Sequence, residues 1–144
     1  MSAQVTTLQR RPDLLRKLDE QQQGLVEMAR QLAQRLQEMA GGEKDKERQL
    51  RNIQAMAEQG SCWALVELFI RYQTARGQLP TSWDDFAIGK LVGLRDLARK
   101  IVGANDEGLV EQAHLELVKR VLGYTVWWHV WDVKKEERGK GGRS

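Results

Sequence analysis

The stretch LLRKLDEQQQGLVEMARQLAQRLQEM, residues 14–39, decides the fold class. Leu15, Leu18, Leu25, Ala29, Leu32, Leu36 and Met39 follow one another in alternating steps of three and four, with Gln22 in the one polar position of the series. That spacing draws a single apolar stripe along a helix, of the kind that packs on a partner helix in a hairpin or a coiled coil. Pro12 suits the first turn of such a helix, where its missing N–H costs nothing, and Gly41-Gly42 ends it.

Outward from this seam the chain reads as helix throughout, because only Pro12 and Pro80 interrupt it and no useful run of β-branched alternation occurs. A second helix over residues 43–59 opens with the charge-alternating EKDKER, a solvated face, and continues with Leu50, Ile53 and Met56. After Gly60-Ser61, with Ser61 as a possible N-cap, CWALVELFIRYQTARG is apolar nearly all round from Cys62 to Ile70 and is expected at the centre of a bundle. In GQLPTSWDD, Ser82 and Asp85 form an S-x-x-D capping signature, and Asp84 with Asp85 suits a helix N-terminus. A stripe from Phe86 to Val102 follows and ends at Gly103, and Asn105 or Asp106 caps a last helix running past Trp131. The expectation is an all-α fold, a compact bundle of about five helices with a long N-terminal helix, forming one domain over residues 1–133. Residues 134–144 read as a basic, flexible tail.

The 144 residues carry a net charge of +3. Lys134, Lys135, Lys140, Arg138 and Arg143 against Glu136 and Glu137 account for all of it, which leaves the body balanced. Within that body residues 71–102 hold six basic and three acidic side chains, and residues 103–133 two and five. No apolar run reaches the roughly 18 residues of a membrane span, no secretory signal opens the chain, and one cysteine excludes an internal disulfide, so a cytoplasmic location is expected.

Material for catalysis is thin. His114 and His129 have no cysteine or carboxylate at ligand spacing, so neither a metal site nor a cofactor is expected. Cys62 lies in apolar sequence where a thiol is inert packing, the glycines match no phosphate loop, and the paired carboxylates stand at helix starts. A non-enzymatic role is expected. For nucleic acid, Arg95 and Arg99 lie one turn apart beside Lys100, and Arg71 and Arg76 close the preceding helix, a candidate ridge for backbone phosphates. The alternative is compensated surface charge.

The segment YTVWWHVWD, residues 124–132, holds three of the five tryptophans. On a helix Tyr124, Trp128 and Trp131 share a face, with Trp127 beside Trp131. Each large ring buries roughly 150–250 Å², and rings over more than half of one circumference exceed what a single core face covers. A protein interface is therefore preferred over plain core and over base stacking, since no cation lies between Tyr124 and Val133.

The size, the helical layout, the central RNIQAMAEQGSCWALVELFIRYQTARG, the loop to TSWDDF and the basic residues of that block resemble the small helical subunit of type III CRISPR RNA-guided effector complexes. The resemblance covers mostly residues 50–131. It implies a non-enzymatic part in antiviral defence, in which the chain stacks with copies of itself and other subunits and contacts the guide or target RNA without reading sequence. It assigns Arg71, Arg76, Arg95 and Arg99 to phosphates and the tryptophan helix to subunit packing. The runner-up reading is an adaptor or self-assembling bundle that never meets nucleic acid, with the 15–39 seam and the tryptophan helix as its contact surfaces.

Overall fold

The protein is described by a computed structural model covering residues 6–40, 45–59 and 62–141. A short 3-10 turn (Leu8–Arg10) precedes α1 (Pro12–Asp19), α2 (Gln22–Met39), α3 (Glu47–Glu58), α4 (Trp63–Ala75), α5 (Trp83–Val102) and α6 (Glu107–Gly141). The fold is all-helical, with no strand among the described residues.

The N-terminal seam is two helices rather than one. Asp19 to Gly24 contain no apolar side chain, so nothing holds that segment to the core, and the Gln21 N–H bonds back to the Leu18 carbonyl in a tightened last turn. Leu18, Leu25, Ala29, Leu32 and Leu36 are all buried, and Leu15 and Met39 pack on the same core. The seam is thus spent inside this chain and is not available as a contact surface for an adaptor.

The central element is α6, which packs on α2, α3 and α5. Expectation had placed the segment from Cys62 to Ile70 there, yet α4 is peripheral: Val66 and Ile70 point inward while Leu68 and Tyr72 are exposed. Apolar composition all round a helix therefore did not mean burial all round. The start of α6 is capped as expected, with the Asp106 side chain accepting the Leu109 N–H at 3.0 Å. The S-x-x-D box at α5 does not form, because Ser82 stands in the left-handed region at φ 79° and makes no side-chain cap. Asp85 instead turns to Arg71 at 2.6 Å, as does Asp84 at the same distance.

The predicted flexible tail begins inside a helix, since α6 stays helical to Gly141. A 35-residue helix is about 52 Å long. The expected stops at Gly41-Gly42 and Gly60-Ser61, and the Ser61 cap, lie outside the described residues.

Two tryptophans mark the extremes of packing. Trp83 is fully enclosed and donates its indole N–H to the Leu32 carbonyl at 3.0 Å, locking α5 to α2. Trp127 is 71% exposed. Trp83→Ala is expected to cost about 3–5 kcal/mol in urea unfolding, and Trp127→Ala to stay within about 0.5 kcal/mol.

Candidate interaction surfaces

The indole face of α6 is built by helical register. Val121, Thr125, Val126, His129 and Asp132 are buried, and Asp132 meets Arg30 of α2. Trp128 is held in place: its indole N–H donates to the Val26 carbonyl at 3.1 Å, and the Arg30 guanidinium lies 4.8 Å above its ring while bonding Asp132 at 2.9 Å. Trp127 and Trp131, 71% and 50% exposed, stand on the open side with half-buried Tyr124 between them and the bundle. Tyr124 and Trp127 meet edge to face at 6.0 Å. With Gln22 and Val26 of α2 these rings line a groove of about 410 Å³. The four aromatic positions thus divide: Trp128 is a structural anchor, and Tyr124, Trp127 and Trp131 form the surface.

His129 explains how α3 is held. It is fully buried, and its Nε2 accepts the Lys46 N–H at 2.8 Å, so the neutral ring carries its proton on Nδ1. Burial pushes its pKa down, against the opposing pull of Asp45, Asp132 and Glu47. A charged ring would lose the lone pair that holds the start of α3.

The expected arginine ridge is largely occupied. Arg71 bonds Asp85 and Asp84 at 2.6 Å each, and these two bonds raise its pKa. Arg95 bonds Glu111 at 2.6 Å and lies 3.3 Å from His114 Nδ1. His114 Nε2 must carry the proton, because it faces the Leu91 carbonyl at 2.9 Å. Glu111 also accepts the Trp63 N–H at 3.1 Å, which caps α4. Burial opposes ionisation of Glu111, but the Arg95 and Trp63 bonds outweigh it and hold its pKa down. The pKa of His114 is lowered, chiefly by burial and also by Arg95. Arg95, Glu111, His114 and Trp63 therefore form a knot joining α4, α5 and α6, a structural role the sequence did not suggest. Arg99 is nearer to free, with Asp96 at 3.8 Å and Glu107 at 3.6 Å. Arg76 lies 5.4 Å from the Tyr72 ring and, like exposed Lys100, has no carboxylate partner among the described residues.

No group of three or more histidine, cysteine or acidic side chains among the described residues is arranged to hold a metal ion. None of their helices is long and apolar enough to cross a membrane. No family model, curated protein or solved structure matches this chain.

Both histidines have folded pKa values below the unfolded value of about 6.5. Their stabilisation is complete above that value and is lost as pH falls through it toward the folded values, where the unfolded chain binds more protons. Urea unfolding across about pH 5–8 is expected to show stability rising with pH. His129→Gln, which keeps an acceptor but not the titration, is expected to flatten the slope.

Proposed function

We propose that this chain is a non-enzymatic structural subunit of a cytoplasmic ribonucleoprotein assembly. It joins its neighbours, copies of itself among them, through the indole face of α6. One observation carries the reading: Trp127 and Trp131 remain 71% and 50% exposed beside a groove floored by Tyr124 and Trp128, although the seam, α5 and the inner faces of α6 are already satisfied. Two adjacent indoles in water are a cost to an isolated fold and the usual centre of an interface. Their anchoring supports the same conclusion, since Trp128, Arg30 and Asp132 fix the rings before any partner arrives.

The RNA part of the reading is supported by the helical course of residues 134–141. At about 100° per residue, Lys134, Lys135 and Arg138 fall near the line of Trp127 and Trp131. Rings and cations then share one side of α6, the combination that base stacking beside a phosphate backbone calls for. Arg76 and Lys100 keep their place as phosphate contacts in this proposal, and Arg99 is a weaker one. Arg71 and Arg95 serve first as internal ties.

Sedimentation velocity over a hundredfold range of concentration tests the packing surface. Wild type is expected to form larger species as concentration rises. Trp127→Ser with Trp131→Ser is expected to stay monomeric with unchanged unfolding. A wild-type chain that is monomeric throughout would remove self-packing through α6.

A further inference from the structure

A second surface lies where α3 meets the end of α4. The chain leaves α4 through Gly77 at φ 78°, with the Gly77 N–H bonded to the Thr74 carbonyl and the Gln78 N–H to the Gln73 carbonyl at 2.9 Å. This left-handed cap folds Gln78 back beside Gln73 and uses two carbonyls that would otherwise face outward. Gln78 then accepts a bond from the Gln49 side chain of α3 at 3.2 Å, tying the two helices across a cleft.

The cleft has a volume of about 300 Å³ and is lined by Arg48, Gln49, Asn52, Gln73, Arg76 and Gln78. Its chemistry is uniform. Two guanidiniums and four carboxamides face it, and no carboxylate among the described residues does. Neither Arg48 nor Arg76 has an acidic partner among the described residues, unlike Arg71, Arg95 and Arg99. Gln73 is buried at 5% exposure, which makes the floor polar as well as the rim. On the α4 side the Tyr72 ring stands 52% exposed, with Arg76 over it at 5.4 Å.

The cleft also continues. A wider groove of about 690 Å³ over the first turns of α3 shares Arg48, Gln49 and Asn52 with it. Two acidic residues line that extension, and both are engaged: Glu47 with Arg51 at 2.7 Å, and Asp45 with the Glu47 N–H at 3.1 Å. The positive end of the α3 dipole also points there.

We infer that this cleft binds the phosphodiester backbone of a single-stranded polynucleotide, Arg48 and Arg76 gripping phosphate and Tyr72 offering a face to a base. Guanidiniums without carboxylates select phosphate. An exposed ring beside them selects a ligand that carries bases, and the continuation along α3 selects a strand over a single nucleotide. The carboxamides supply donors and acceptors that suit any base edge, so little sequence preference is expected. Arg48 belongs to the run EKDKER, whose alternating charge reads in the sequence as an ordinary solvated face. The inference gives the RNA arm of the proposed function a location, and it is independent of packing through α6.

The test is fluorescence anisotropy of a labelled 20-nucleotide oligouridylate titrated with the full chain at about 20 mM and about 150 mM salt. Binding at low salt is expected. Arg48→Ala with Arg76→Ala is expected to weaken it about tenfold or more and to make the log–log salt slope shallower by about 1.4, the value for two phosphates of a single strand. Arg48→Lys with Arg76→Lys is expected to retain most of the binding, and Tyr72→Ala to weaken it at both salt concentrations. Trp127→Ser with Trp131→Ser separates the two surfaces, because it is expected to abolish self-packing and leave the cleft's effect on the slope intact. No binding by wild type at low salt, or equal binding by the double alanine variant, would overturn the inference. So would competition by uridine monophosphate, inorganic phosphate or polyglutamate as effective as that by unlabelled oligouridylate at equal charge.

Discussion

A helix has one circumference, and α6 spends most of its own inside the bundle. It packs on α2, α3 and α5, so every other element is placed by where it meets this rod. The inward residues are of two kinds. Val110, Ala113, Leu117, Val118, Val121, Leu122 and Val126 supply apolar burial. Gln112, Glu111, His129 and Asp132 supply directed bonds to the N-terminal turn, α4, the start of α3 and α2. Burial alone would leave the neighbours free to slide along a smooth stripe. These bonds fix their positions along the axis, and so fix which fraction of α6 stays uncovered.

That uncovered fraction is where function is sought. With three sides committed, the remaining side is forced outward whatever its residues are. On that side the sequence places indoles rather than the glutamates and lysines of an ordinary solvated face. Immobilisation matters as much as exposure here. An exposed ring on a mobile loop would lose rotamer entropy on binding, whereas rings on a helix braced by Trp128, Arg30 and Asp132 have already lost it.

Much of the fold was legible because helical periodicity and burial obey the same geometry. The stripe from Leu15 to Met39 names five residues that are fully enclosed, and Gly103 ends α5 where expected, at φ 89°. What escaped was whatever depends on partners distant in sequence. Nothing in DEQQQG announces that the chain will turn there; it turns because the core offers that segment nothing to bind. Ser82 and Asp85 have capping identities, yet Arg71 from the preceding helix competes for the acidic pair, and Ser82 adopts a left-handed backbone. The partners of the ridge arginines escaped for the same reason. Arg95 reads as surface cation until α6 brings Glu111 and His114 against it, sixteen and nineteen residues on. Charged tail residues read as disorder because composition cannot see that a helix already running from Glu107 propagates cheaply.

The arginines can be ranked by what a phosphate would have to displace. Exposed ion pairs contribute roughly 0–1 kcal/mol, so the loose contacts of Arg99 with Asp96 and Glu107, at 3.8 and 3.6 Å, offer little resistance. Arg71 is harder to free, because removing it leaves nearly buried Asp84 without its counter-charge. Arg95 is hardest. Withdrawing it strips Glu111 of the charge that keeps it ionised, loosens the cap on α4 and leaves buried His114 without its donor. Among the described residues Arg48 and Arg76 have no carboxylate to give up, and Arg76 only its contact with the Tyr72 ring. Availability, and not the density of basic residues along the chain, therefore decides which of these side chains are free to meet a polyanion.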